Sequence, residues 1–100
     1  MIKNKKRSDY YNHSIKRAIQ ILNSFTLQKK ELGVTELSKK LNLHKSTIHR
    51  ILVTLEDENI VRKNKISQKY RLGMELFKYG NVAIDQFEIK KYALPIKDCR

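Results

Sequence analysis

One hundred residues, 22 of them Lys or Arg against 10 Asp or Glu, give this chain a formal net charge of +12 and a sequence pI near 10.0. That length carries one small domain with a modest core, not two, and the cationic excess is the footprint expected of a nucleic-acid binder, although anionic membranes and acidic proteins attract such a chain too. No apolar run nears the ~20 residues that span a bilayer and no apolar signal core follows the N-terminus, so the expectation is a soluble, cytoplasmic protein without a membrane partner.

Residues 1–13 open the chain, and the run MIKNKKRSD within them is basic, polar and without apolar period. They read as a disordered basic tail, solvated or lying along phosphates. From Ser14, a fitting N-cap, the pattern turns helical, with Ile15, Ala18, Ile19, Leu22 and Phe25 as its stripe. Ile21 and Leu27 fall off that stripe, which means either a wide buried face or contact with a second subunit. LQKKELG (27–33) reads as a turn, after which Val34 can add one strand bond.

The stretch from Thr35 to Leu55, TELSKKLNLHKSTIHRILVTL, organises the rest. Leu37 and Leu41 share one face of a short helix that Thr35 caps, with Glu36 in its first turn. Asn42 stands where the chain must leave that helix, and Asn accepts the left-handed conformation such an exit needs. Ile48, Ile51, Leu52 and Leu55 then follow the i, i+3, i+4, i+7 rule for one buried stripe. The opposite arc shows Ser46, His49, Arg50 and Val53, with Thr47 and Thr54 at its edges. Two helices sharing a core, the second with a polar and cationic outer face, form the pattern of a helix-turn-helix. Many helical proteins contain such a pair, so the remaining chain has to turn it toward DNA.

After the polar exit EDEN, the runs Ile60-Val61-Arg62-Lys63 and Lys69-Tyr70-Arg71-Leu72 are rich in β-formers and separated by NKISQ. That spacing makes a hairpin, and a hairpin directly after a recognition helix is a wing. Lys63, Lys65, Lys69 and Arg71 on it suit flanking phosphate, although any one of them is equally explained as a solvated charge. Gly73 ends the hairpin. Met74, Leu76, Phe77, Tyr79, Val82, Ala83, Ile84 and Phe87 then suggest one or two helices, bent or broken near Gly80, before a break at Pro95.

Cys99 is the single cysteine, so no internal disulfide forms, and a lone thiol there suggests no catalytic role. His44 and His49 are five apart with no Cys or acidic cluster beside them, which argues against a metal site. No cofactor is expected, and nothing resembles an enzyme.

Read together, SIKRAIQIL (14–22), LGVTELSKKLNLHKSTIHRILVTLE (32–56) and KYRLGMELFKYG (69–80) resemble the N-terminal winged-helix domain of the IclR family of bacterial transcriptional regulators. The likeness runs from about Ser14 to Pro95, and KSTIHRIL followed by YRLG is its most specific part. It implies a dimeric repressor or activator on a palindromic operator, acting in the bacterial cytoplasm at the nucleoid. It also implies a separate effector domain that binds a small molecule, with FEIKKYALPI (87–96) resembling the helix that leads there. On that expectation the effector domain is absent from these 100 residues. His44 stands where the family often has proline and Asn42 where glycine is common, which touches base preference at the helix start and not the fold.

The fold expected is mostly α with a small β-hairpin: a basic tail at 1–13, a winged helix-turn-helix at 14–73, and a linker helix region at 74–100. Its core would hold Ile15, Ile19, Leu22, Leu37, Leu41, Leu43, Ile48, Ile51, Leu52, Leu55, Val61 and Leu72. A recognition helix over about 45–57 would enter the major groove of double-stranded DNA. There Ser46, Thr47, His49 and Arg50 would meet bases, Arg50 by a bidentate bond to guanine. Thr35, Lys45, Thr54, Lys63, Lys65, Lys69 and Arg71 would meet phosphates, those on the wing (60–72) flanking the groove. Ile21, Phe77, Val82, Ile84 and Phe87 are left over from this core and would form a homodimer contact. A protein-interaction winged helix lacks support in so cationic a face, and RNA binding would want exposed aromatics.

Overall fold

The structure is a computed structural model and describes residues 6–87, excepting the side chains of Gln86 and Phe87. Its elements run α1 (His13–Asn23), α2 (Val34–Leu41), α3 (Lys45–Asp57), β1 (Val61–Lys63), β2 (Tyr70–Leu72) and α4 (Glu75–Phe87). This is the expected winged helix-turn-helix, three helices and a hairpin with a fourth helix after it.

The first helix starts earlier than its sequence suggests. Asn12, not Ser14, is the N-cap, its Oδ1 accepting from the Ile15 N–H at 3.1 Å. Ahead of it Arg7–Tyr10 forms a 3₁₀ turn closed by Asp9, whose carboxylate accepts from the Lys6 N–H. The structureless reading of 1–13 is corrected there, and residues 1–5 lie outside the described part.

The buried face of α1 is also rotated from the expected one. Ile21 is fully buried and Phe25 nearly so, with Leu22 packed beside them and Ala18 half-buried. Ile15 and Ile19 are 60% and 49% exposed. Ala18, Ile21, Leu22 and Phe25 satisfy i, i+3, i+4, i+7 as well as the Ile15 stripe does, and packing against α2 and α3 chooses between them.

Gly33, not Thr35, is the N-cap of α2, and Glu36 closes the turn by accepting the Gly33 N–H at 2.9 Å. Asn42 leaves α2 at φ 56°, ψ 49°, the left-handed exit expected of it. The Leu43 N–H returns to the Ser38 carbonyl at 3.2 Å, and the Ser38 hydroxyl donates to the Leu43 carbonyl. His44 then caps α3 with φ −64°, close to the value a proline would impose. Leu37, Ile48 and Leu52 are fully buried, each contributing about 1.5–3 kcal/mol by leaving water. Leu41, Leu43, Ile51 and Leu55 pack around them, half-buried.

Asn59 turns the chain at φ 63° and leads into the hairpin, where Val61 pairs with Leu72, Arg62 with Arg71 and Lys63 with Tyr70. In the turn, Asn64 Oδ1 accepts from the N–H of Ile66 and of Ser67. Leu32, not Val34, supplies the strand bond before α2, exchanging N–H···O bonds of 2.9 and 2.8 Å with Tyr70. Tyr70 is buried in place of Leu72, which is 42% exposed. Gly73 is required by close approach, since a Cβ there would collide with the Asn59 carbonyl. Beyond it α4 runs unbroken through Gly80, against the expected bend. The expected break at Pro95 lies outside the described residues.

Candidate nucleic-acid interface

The surface of the domain is organised by α3. Because Ile48 and Leu52 are fixed in the core, Ser46, His49, Arg50 and Val53 are turned outward and exposed. From Lys45 to Thr54 the helix holds no carboxylate. Its N-terminal residue, Lys45, is exposed, and the positive end of the helix dipole adds to that charge.

A cleft lies on each side of this face. Thr47, half-buried, joins Lys45, His44, Lys39 and Arg17 around the turn between α2 and α3. Arg17 and Lys39 were not among the expected contacts. They are 22 residues apart in sequence, and packing of α1 across the turn brings them together. On the other side, His49 shares a cleft with Thr35, Lys63, Ser67 and Lys69, which joins the N-terminus of α2 to the wing. Of the expected residues, Lys45 and Thr47 thus share one cleft, and His49, Thr35, Lys63 and Lys69 the other.

Not every expected cation is free. Lys69 Nζ lies 3.4 Å from Glu36 Oε1, and the other oxygen of the same carboxylate holds Lys29 Nζ at 2.9 Å. Lys63 lies over the Tyr70 ring, 5.7 Å from its centre. The Thr54 hydroxyl is turned back to the Arg50 carbonyl at 2.9 Å. Lys65 and Arg71 are exposed. Glu31 braces the wing tip, accepting from Asn64 Nδ2 at 3.2 Å and the Ser67 hydroxyl at 3.3 Å. Two carboxylates therefore pin the wing, Glu31 to the loop before α2 and Glu36 to the first turn of α2.

The Gly33 N–H bond, then the bond and charge of Lys29, then the charge of Lys69 hold the Glu36 carboxyl down, from 4.5 to about 2. A depressed carboxylate adds stability above its unfolded pKa and loses it as pH falls through the folded one. Stability should therefore fall between about pH 4.5 and 2. Glu36→Gln should flatten that fall and cost about 1 kcal/mol at neutral pH, the ion pairs being discounted for solvent. Urea melts against pH check this; a variant with the wild-type profile would assign the acid loss elsewhere.

The expected dimer residues divide. Ile21 is removed from that set, since it has no exposed surface and fills the core. Phe77, Val82 and Ile84 are exposed on α4, and the Phe87 side chain is outside the described part. On α1 the exposed isoleucines are Ile15 and Ile19.

Residues 14–65 match the IclR helix-turn-helix domain. The chain is 40% identical over 80 residues to the HTH-type transcriptional regulator XynR of Escherichia coli, covering 80% of this chain and 32% of that protein. It is 35% identical over 81 residues to the glycerol operon regulatory protein of Streptomyces coelicolor, covering 81% and 32%. Among solved structures, an IclR transcriptional regulator from Alicyclobacillus acidocaldarius superposes with a TM-score of 0.74 at 31% identity, over 77% of this chain and 31% of that one. An IclR family regulator from Brucella abortus superposes at 0.79 with 24% identity, over 91% and 35%, a likeness of fold. The chain spans about a third of the length of the curated relatives it matches.

Proposed function

This chain belongs to the IclR family of helix-turn-helix transcriptional regulators, and on that premise we propose that it acts as a repressor on a palindromic operator in double-stranded DNA. The observation that carries the reading is the outer face of α3, free of carboxylates from Lys45 to Thr54 and set between two clefts, one with Arg17, Lys39 and Lys45 and the other with Lys63 and Lys69. Ser46, His49 and Arg50 read base edges from this face, with Val53 placed for the methyl of a thymine. Arg17, Thr35, Lys39, Lys45, Lys63 and Lys65 hold the flanking phosphates. Lys69 contributes less, because Glu36 already neutralises part of its charge.

Dimerisation belongs to the same reading. Exposed Ile15 and Ile19 on α1, with Phe77, Val82 and Ile84 on α4, give two helices an apolar surface that a second copy would cover. Two recognition helices would then lie about 34 Å apart, one duplex turn. A small-molecule effector would act through a further domain, as the family likeness implies. Among the described residues no helix is long and apolar enough to cross a membrane.

Binding to a random-sequence DNA duplex and to an RNA duplex of equal length, over a salt series, tests the function. DNA should bind tighter, with a salt slope of several units, about 0.9 for each neutralised phosphate. Equal or preferential RNA binding would overturn it. Sedimentation at tens of micromolar tests the dimer, and a strict monomer both alone and on DNA would refute that part.

A further inference from the structure

We propose that Arg62 and Arg71 form a phosphate clamp on the outer face of the wing, holding DNA backbone beyond the reach of α3. The inference rests on the reading of the chain as a duplex binder and adds to it a residue, Arg62, whose role the sequence does not reveal.

Arg62 stands directly opposite Arg71 in the hairpin ladder. Opposed residues of an antiparallel pair share a face, with Cβ atoms about 4.5–5.5 Å apart, and like charges there repel. The neighbouring pairs carry buried Val61 and Tyr70 on the face toward the core, so both guanidiniums belong to the outer face. Both residues are exposed. Ion pairs among the described residues join Lys29 and Lys69 to Glu36 and Lys78 to Glu75, and none reaches Arg62 or Arg71. Two cations thus face each other without the carboxylate that would relieve them.

Their surroundings suit an anion. Arg62, Arg71 and Lys65 line one groove of about 670 Å³ that runs from the wing tip to Gly73 and Met74. The tip is pinned by Glu31 through Asn64 and Ser67, so the strands that carry both arginines are held in place. Two planar forks side by side can share the two free oxygens of one phosphodiester, each oxygen accepting from both, which lysines cannot match. The repulsion that weakens the free hairpin becomes attraction once the phosphate arrives. DNA is the source favoured here, because the inner side of the same wing borders His49 of α3. A duplex lying against α3 would carry its backbone past the wing.

Arg62→Glu separates this from a merely solvated pair. It places an opposite charge against Arg71, so the free protein should melt at a higher temperature. The same change should weaken binding to a random-sequence duplex of about three helical turns. The expected loss is about tenfold in affinity and about one unit of salt slope. Lys40→Glu, with the same change of charge on exposed α2 surface, should show no rise in melting temperature and a smaller loss of slope. Unchanged slope in Arg62→Glu, a loss no larger than in Lys40→Glu, or a lower melting temperature would each overturn the clamp. So would a variant that loses inorganic phosphate or polyglutamate binding while keeping its duplex affinity. A wild-type chain without salt-dependent duplex binding would instead overturn the function itself, and the clamp with it.

Discussion

Tyr70→Ala is expected to remove about 3–5 kcal/mol of stability, most of what a domain of this size possesses. Tyr70 is 1% exposed and joins three parts of the fold at once. Its backbone bridges Leu32, its neighbours in the ladder carry the wing, and its ring fills the core beside Val61 and Leu52. Burial and the charge of Glu56 also push its phenol pKa up, so the ring is held neutral. Truncation leaves a cavity that the short strands cannot collapse to fill. The loss should reach function before global unfolding, because a loosened wing no longer presents Lys63 beside His49 of α3. Urea melts, with hydrogen exchange at the Leu32 amide, provide the check. A variant within 1 kcal/mol of wild type, on the ~1.4 kcal/mol-per-decade scale, would show that the ring is not part of the core.

The parts of this fold that local chemistry decides are legible in the sequence. Asn42 is left-handed because the chain must leave α2 there, and the period of Ile48, Ile51, Leu52 and Leu55 assigns α3 its inner face. From that inner face the exposure of Ser46, His49 and Arg50 follows at once. The hairpin is legible for the same reason, its β-formers and turn residues standing at hairpin spacing. The first helix is not, because the Ile15 and Ala18 stripes both satisfy the helical period and only the position of α2 and α3 decides. Tyr70 and Leu72 stand two apart on one face of β2, and their spacing does not reveal which sits deeper. Arg17 and Lys39 could not be joined to the site by spacing, since only tertiary packing unites them. Glu31 and Glu36 are misread most easily, as two acids that lower the charge of a cationic face. The hydrogen bonds of Asn64 and Ser67 to Glu31, and the ion pair of Lys69 with Glu36, make them the braces of the wing.

Arg50→Ala is expected to lower affinity for the operator by about 1–3 kcal/mol, roughly five- to 150-fold, and to change affinity for random duplex far less. Arg50 is exposed at the middle of the face that α3 presents, one turn after Ser46. A guanidinium there can reach two acceptors of one guanine, and such a bond rewards only the matching base. Its loss leaves the phosphate contacts intact, so the salt slope should change by less than one unit. Titration of both duplexes over a salt series measures this directly. Equal losses on the two would make Arg50 a phosphate contact and move base reading to Ser46 and His49.

If α3 lies in the major groove, guanine N7, which is reachable only from that groove, reports on it. A duplex selected by the protein from a random library can be methylated sparsely at guanine N7, and bound and free fractions compared. Methylation at a few guanines in two half-sites about one helical turn apart should block binding, and Arg50→Ala should lose sensitivity at one guanine in each half-site. Binding that is indifferent to N7 methylation throughout, yet blocked by methylation of adenine N3 in the minor groove, would contradict the account.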